Sequence, residues 1–129
     1  MSTTQVLFLK DKFSAKDELL SSILPGFGFE VLPVHRYVSG EMPSGFSSAD
    51  LIIADPDFTA SREFISMLRA SGNRSALPII FIFDNDRMKE LGAIHWLKPS
   101  SVLTKPFKII DLIASLEIAR LKYTVENID

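Results

Sequence analysis

Ala49-Asp50-Leu51-Ile52-Ile53-Ala54-Asp55 is the stretch on which the fold turns. Its four central residues are all apolar, so it does not show the alternation of a strand with one wet face. It is also too short for a helix. Such a run suits a strand buried on both faces, as in a parallel sheet covered by helices on either side. It ends abruptly on the carboxylate of Asp55.

The same pattern recurs to either side. Gln5 to Leu9 ends in Val-Leu-Phe-Leu and then meets Lys10-Asp11-Lys12. Pro78 to Phe83 carries Ile-Ile-Phe-Ile-Phe before Asp84, and Ser101 to Thr104 runs into Lys105-Pro106. Phe29 to Val34 is less purely apolar, which suits a strand nearer an edge. Helical signals lie between the strands. Ser14 caps the first helix with Asp17 three positions on, Leu19, Leu20, Ile23 and Leu24 form its apolar stripe, and Pro25-Gly26-Phe27-Gly28 stops it. Thr59 or Ser61 opens another helix, ended by Gly72-Asn73. Asp84-Asn85-Asp86 caps one from about Arg87 to Leu97. Ile109, Leu112, Ile113 and Leu116 mark the inner face of the last. Residues 35–48, with Gly40, Pro43 and Gly45, predict a loop or a poorly formed second helix. Strands alternating with helices imply parallel pairing in one α/β domain.

Composition narrows the function. The 129 residues suffice for one core. There is no cysteine, which excludes disulfides and thiolate metal sites. Net charge is −2 with the signs interspersed, which argues against nucleic acid as a direct partner. The longest apolar run, Ile79 to Phe83, falls far short of the ~20 residues that span a bilayer. The start, Met1-Ser2-Thr3-Thr4-Gln5, has no secretion-signal character, so the expected location is cytoplasmic. His35 and His95 lack companions at ligand spacing and read as structural or surface residues.

In parallel α/β sheets, chemistry sits beyond the carboxyl ends of the strands. Those ends carry Lys10-Asp11-Lys12, Asp55-Pro56-Asp57, Asp84 and Lys105-Pro106. Carboxylates facing a lysine suit a hard divalent cation and a phosphoryl group, and an exposed aspartate can act as a nucleophile toward an activated phosphoryl donor. With Asp11 after the first strand, Asp55 ending the third, and Val102-Leu103-Thr104-Lys105-Pro106-Phe107 at the fifth, the chain resembles the receiver domain of two-component response regulators over nearly its whole length. The resemblance implies a flavodoxin-like (βα)5 fold with strand order 2-1-3-4-5. It implies Asp55 as phosphoacceptor, Mg2+ held by Asp11, Asp55 and the backbone carbonyl of Asp57, Lys105 on the phosphoryl group, and a cis Lys105–Pro106 bond. It implies a signalling module rather than an enzyme, with a histidine kinase or an output domain as protein partner. A homodimer would use the fourth helix, fifth strand and fifth helix. The surface residues named by that mapping are Lys89, His95, Trp96, Lys98, Arg120 and Tyr123.

The departures from the family pattern carry as much weight as the matches. Lys10 stands where the family has a second acidic residue. One unit charge at 4 Å is worth about 4 kcal/mol at an effective dielectric near 20, so an inward Lys10 would weaken Mg2+ binding severely. Its alternative is to swing into water. Phe83 replaces the Ser or Thr whose hydroxyl contacts the phosphoryl group, and Val102 replaces the aromatic residue that changes rotamer on activation. Pro56 removes an amide beside the acceptor. The leading expectation is a degenerate receiver working through protein contacts, with weak or absent phosphorylation. A phosphorylation-competent receiver with an altered switch is the alternative.

Plainer readings stay open. Asp11 and Asp55 would then only solvate strand ends, and Lys105-Pro106 would be an ordinary turn. A flavodoxin-like cofactor domain shares the topology, but residues 10–16 are no Ser/Thr/Gly-rich phosphate loop, and nucleotide-binding glycine motifs are missing. The domain is expected over residues 1–123, with 124–129 a polar tail or the start of a linker.

Overall fold

A computed structural model describes residues 3–10, 12–34, 48–55, 66, 70, 77–84 and 101–126, with backbone only at 83, 84 and 123–126. Five strands form one parallel sheet: β1 (Thr4–Leu9), β2 (Phe29–Val34), β3 (Leu51–Ala54), β4 (Ile79–Asp84) and β5 (Ser101–Lys105). Their order is β2-β1-β3-β4-β5, as expected for the receiver topology. Helix α1 (Ala15–Ile23) follows β1, and α2 (Ile109–Glu126) follows β5.

Burial on both faces explains the unbroken apolar runs. Val6, Phe8, Leu51, Ile53, Ile80 and Ile82 share a core with Leu20 and Leu24 from the first helical segment and Leu112, Ile113, Leu116 and Ala119 from α2. On the opposite face Leu7, Leu9, Ile52, Ile79 and Phe81 are no more than 1% exposed. Each such side chain contributes about 2 kcal/mol on leaving water. β2 is one of the two edge strands, and its exposed Pro33 is tolerated there because one side of the strand needs no ladder partner.

Several boundaries differ from the expected ones for local reasons. β3 spans only Leu51–Ala54, because Asp50 turns to other work. Its carboxylate accepts the Gln5 N–H at 2.9 Å, and its own N–H donates to the Gln5 carbonyl at 2.8 Å. α1 has the predicted capping box between Ser14 and Asp17. Its apolar stripe is narrower than Leu19, Leu20, Ile23 and Leu24 suggested, since Leu19 is 53% exposed and Ile23 only half-buried. The Pro-Gly stop takes the form of a 3-10 turn at Leu24–Phe27, closed by Gly28 at φ 89°. That left-handed φ is natural for glycine and costly for other residues. α2 continues to Glu126. Residues 35–47, and nearly all of the segments expected to form the third and fourth helices, lie outside the described residues.

Candidate functional site

The carboxyl edge of the sheet brings three of the strand-end residues into one row. Leu9 and Ala54 are the last paired residues of β1 and β3. The Asp55 N–H donates to the Leu9 carbonyl at 2.9 Å, so Lys10 and Asp55 leave their strands side by side. Lys105 ends β5, two strands away across β4. Ala54 pairs with Phe81, and Phe81 with Val102. Lys105 therefore stands two residues further along than Asp55. At about 3.3 Å rise per residue and about 4.8 Å between strands, their Cα atoms are roughly 12 Å apart. An extended lysine and an aspartate together span that gap. Both side chains are partly exposed. The Lys105–Pro106 bond is cis, as the resemblance implied.

Asp11 and Asp57, the other expected metal contacts, lie outside the described residues, so the donor set for Mg2+ is placed only at Asp55. Among the described residues no cluster of three His, Cys, Asp or Glu side chains is poised to hold a metal ion. Phe83 ends up beside Thr104 in the β4–β5 register, with its side chain outside the description, and Val102 is half-buried next to Phe81. Of the surface residues, Lys89, His95, Trp96 and Lys98 lie outside the described residues, as does the side chain of Tyr123. Arg120 is half-exposed and bound to Glu117 at 2.6 Å, one turn back on its own helix.

Lys10 follows neither expected course. Its side chain is only 15% exposed, so it does not swing into water. Its ammonium donates to Asp17 Oδ2 at 2.6 Å. The same oxygen accepts the Ser14 N–H at 2.7 Å and the Ser14 hydroxyl at 2.9 Å. Asp17 is 5% exposed. Burial pushes its carboxyl up, but the Lys10 and Ser14 hydrogen bonds and the Lys10 charge outweigh burial and hold it below the ordinary range. Phe13 meets Phe8 edge-to-face with ring centroids 5.2 Å apart, tying the segment back onto the sheet. The pairing of strand end with helix start was missed in the sequence. Asp17 showed there only as a capping residue.

Beside Lys105 a cleft of about 450 Å³ opens between the start of α1 and the β5–α2 turn. Leu19, Leu20, Pro106, Phe107 and Ile109 make it largely apolar, and Lys16 and Lys105 put positive charge in its lining. No described helix is long and apolar enough to cross a membrane.

An open parallel sheet with helices packed on it and charged strand tips at its carboxyl edge defines an open-sheet α/β domain. Solved structures make the class more specific. The chain is similar to the chemotaxis response regulator CheY4 of Vibrio cholerae, with a TM-score of 0.76, 19% identity, and coverage of 92% of this chain and 99% of that one. It is similar to the signal receiver domain of a signal transduction histidine kinase from Syntrophus aciditrophicus, with a TM-score of 0.73, 18% identity, and coverage of 98% and 96%. A response regulator receiver domain protein from Clostridium thermocellum gives 0.76, 17% identity, and coverage of 95% and 98%. The chain therefore has the receiver fold. At these identities the likeness is one of fold. No family model matches the sequence, and no curated relative matches it either.

Proposed function

We propose that this chain is a receiver-type signalling domain of the two-component class that acts through protein contacts and accepts phosphate at Asp55 poorly or not at all. The observation that carries this reading is Lys10. A cation stands beside Asp55 at the strand ends, and its ammonium is engaged by Asp17. The position supplies no carboxylate to attract a divalent ion, and its ammonium is committed to Asp17, so Asp55 lacks the adjacent acidic group that would help hold Mg2+. Phe83 and Val102 add to this, because neither has the group through which the family's switch works. A histidine kinase or an output domain is the partner class this reading names, the cytoplasm its location, and Mg2+ at most a weak ligand.

The test is incubation with acetyl phosphate and Mg2+, read by intact mass. Little or no phosphate adduct is expected. A stoichiometric adduct abolished by Asp55→Asn would overturn the proposal. It would favour a phosphorylation-competent receiver with an altered switch, a reading supported by the placement of Asp55 and Lys105 on one edge of the sheet. A flavin-type cofactor domain is disfavoured by residues 10–16, and bound chromophore in the purified protein would revive it.

A further inference from the structure

The cleft beside Lys105 is separate from the acceptor position, for Asp55 is not in its lining. Its floor is continuous with the core. Leu20 is 8% exposed, and Phe107 and Ile109 are partly buried against the same cluster. Its rim is open. Leu19 is 53% exposed and Pro106 is exposed, so apolar walls meet water that an occupant would displace. The volume of about 450 Å³ lies within the span of ordinary small-molecule sites, roughly 300–1,000 Å³. Such sites are likewise mostly apolar, with a few polar groups that fix orientation.

The polar part of the lining decides the charge of the occupant. Ser14 and Asp17 are spent on one another, since the Asp17 Oδ2 accepts the Ser14 N–H and hydroxyl. The same oxygen accepts the Lys10 ammonium at 2.6 Å, so the charge of Asp17 is matched by a cation from outside the lining. Lys16 from α1 and Lys105 from the end of β5 leave the cleft with a positive balance. Lys16 is exposed and Lys105 partly so. A lysine stem lies along an apolar wall while its ammonium reaches a head group. Apolar walls with cations among them suit a molecule that is apolar at one end and negative at the other. We infer that the cleft between α1 and the β5–α2 turn binds a small amphipathic anion. It would be a carboxylate whose apolar body lies on Leu20, Phe107 and Ile109 and whose head group meets Lys16 and Lys105. Such a ligand joins α1 to the β5–α2 turn beside the strand tips, and its binding needs no phosphate on Asp55.

Decanoate, kept below its micelle concentration, is the probe, and amide NMR shifts of the full chain are the readout. Saturable shifts at Leu20, Phe107 and Ile109 are expected, with the amides of β2 unmoved. Decan-1-ol, with the same chain and no charge, and decylammonium, with the opposite charge, should bind several-fold more weakly. Lys16→Glu should weaken decanoate binding several-fold. It places an acid in the first turn of α1, where the helix dipole favours one, so circular dichroism should stay unchanged. Leu19→Asp, at the exposed apolar wall, should weaken binding as well. Lys122→Glu makes the same change of net charge at an exposed position outside the cleft and should leave the affinity as it is. Absence of saturable shifts at the three amides would overturn the inference and leave the cleft to a protein segment. So would decan-1-ol binding as tightly as decanoate, Lys16→Glu without effect, or Lys122→Glu as damaging as Lys16→Glu.

Discussion

Asp17 is the residue whose surroundings have the most to say. Removing its carboxylate by Asp17→Ala leaves the Lys10 ammonium partly buried without its counter-ion and removes the reciprocal half of the α1 capping box, with Ser14 still in place as the N-cap. A loss of about 2 kcal/mol is expected, measured by urea unfolding. Ser14→Ala removes one hydroxyl partner and should cost about 1 kcal/mol. The pH dependence has a definite sign. A carboxyl whose pKa is lowered on folding stabilises the protein fully above its unfolded value, here the ordinary 3.8. That contribution is lost as pH falls below 3.8 towards the lower folded value. Wild type should therefore lose stability in that acid window relative to Asp17→Asn, whose unfolding is not linked to this proton. The capping role of Asp17 was legible from Ser14 three residues before it. Its hold on Lys10 was not, because a contact between a strand tip and a helix start follows neither a period of 2 nor one of 3.6.

Among the elements, β2 was legible to the residue, and its edge position followed from its mixed composition. β3 was overextended because Asp50 reads as a strand residue, yet its side chain serves as the ladder partner for the Gln5 N–H. The inner face of α2 was also legible. Its exposed apolar residues Ile110, Ile118 and Leu121 were not singled out, since a helix apolar on both sides reads as core from sequence alone. The two sides of α2 should separate in experiment. Leu112→Ala, at a fully buried position, should cost about 2–5 kcal/mol. Leu121→Ala should change stability by under about 0.5 kcal/mol. Gly28→Ala meets no atom within 4 Å of the new Cβ, so any loss comes from the backbone at φ 89°. About 1 kcal/mol is expected.

For the whole molecule, the topology predicts an order of opening. β1 and β3 are interior strands whose side chains are buried on both faces, while β2 has a neighbour on one side only. Native-state hydrogen exchange should show the amides of Val6 to Leu9 and Leu51 to Ala54 exchanging last, and those of β2 earlier. The alternating α/β class was legible because four apolar runs with charged ends and a fifth, more mixed one are separated by helical signals, whereas the strand order came from the resemblance to receivers. The edge that carries Asp55 and Lys105 followed from that topology, though the company kept by Lys10 did not. The convergence of three donors on a single oxygen of Asp17 has a mechanical consequence. The residue before position 11 and the residue that opens α1 share one anchor. A ligand or partner that draws the ammonium away must therefore loosen the first helical turn as well, and a partner that grips that turn will feel the charge state of the strand tip.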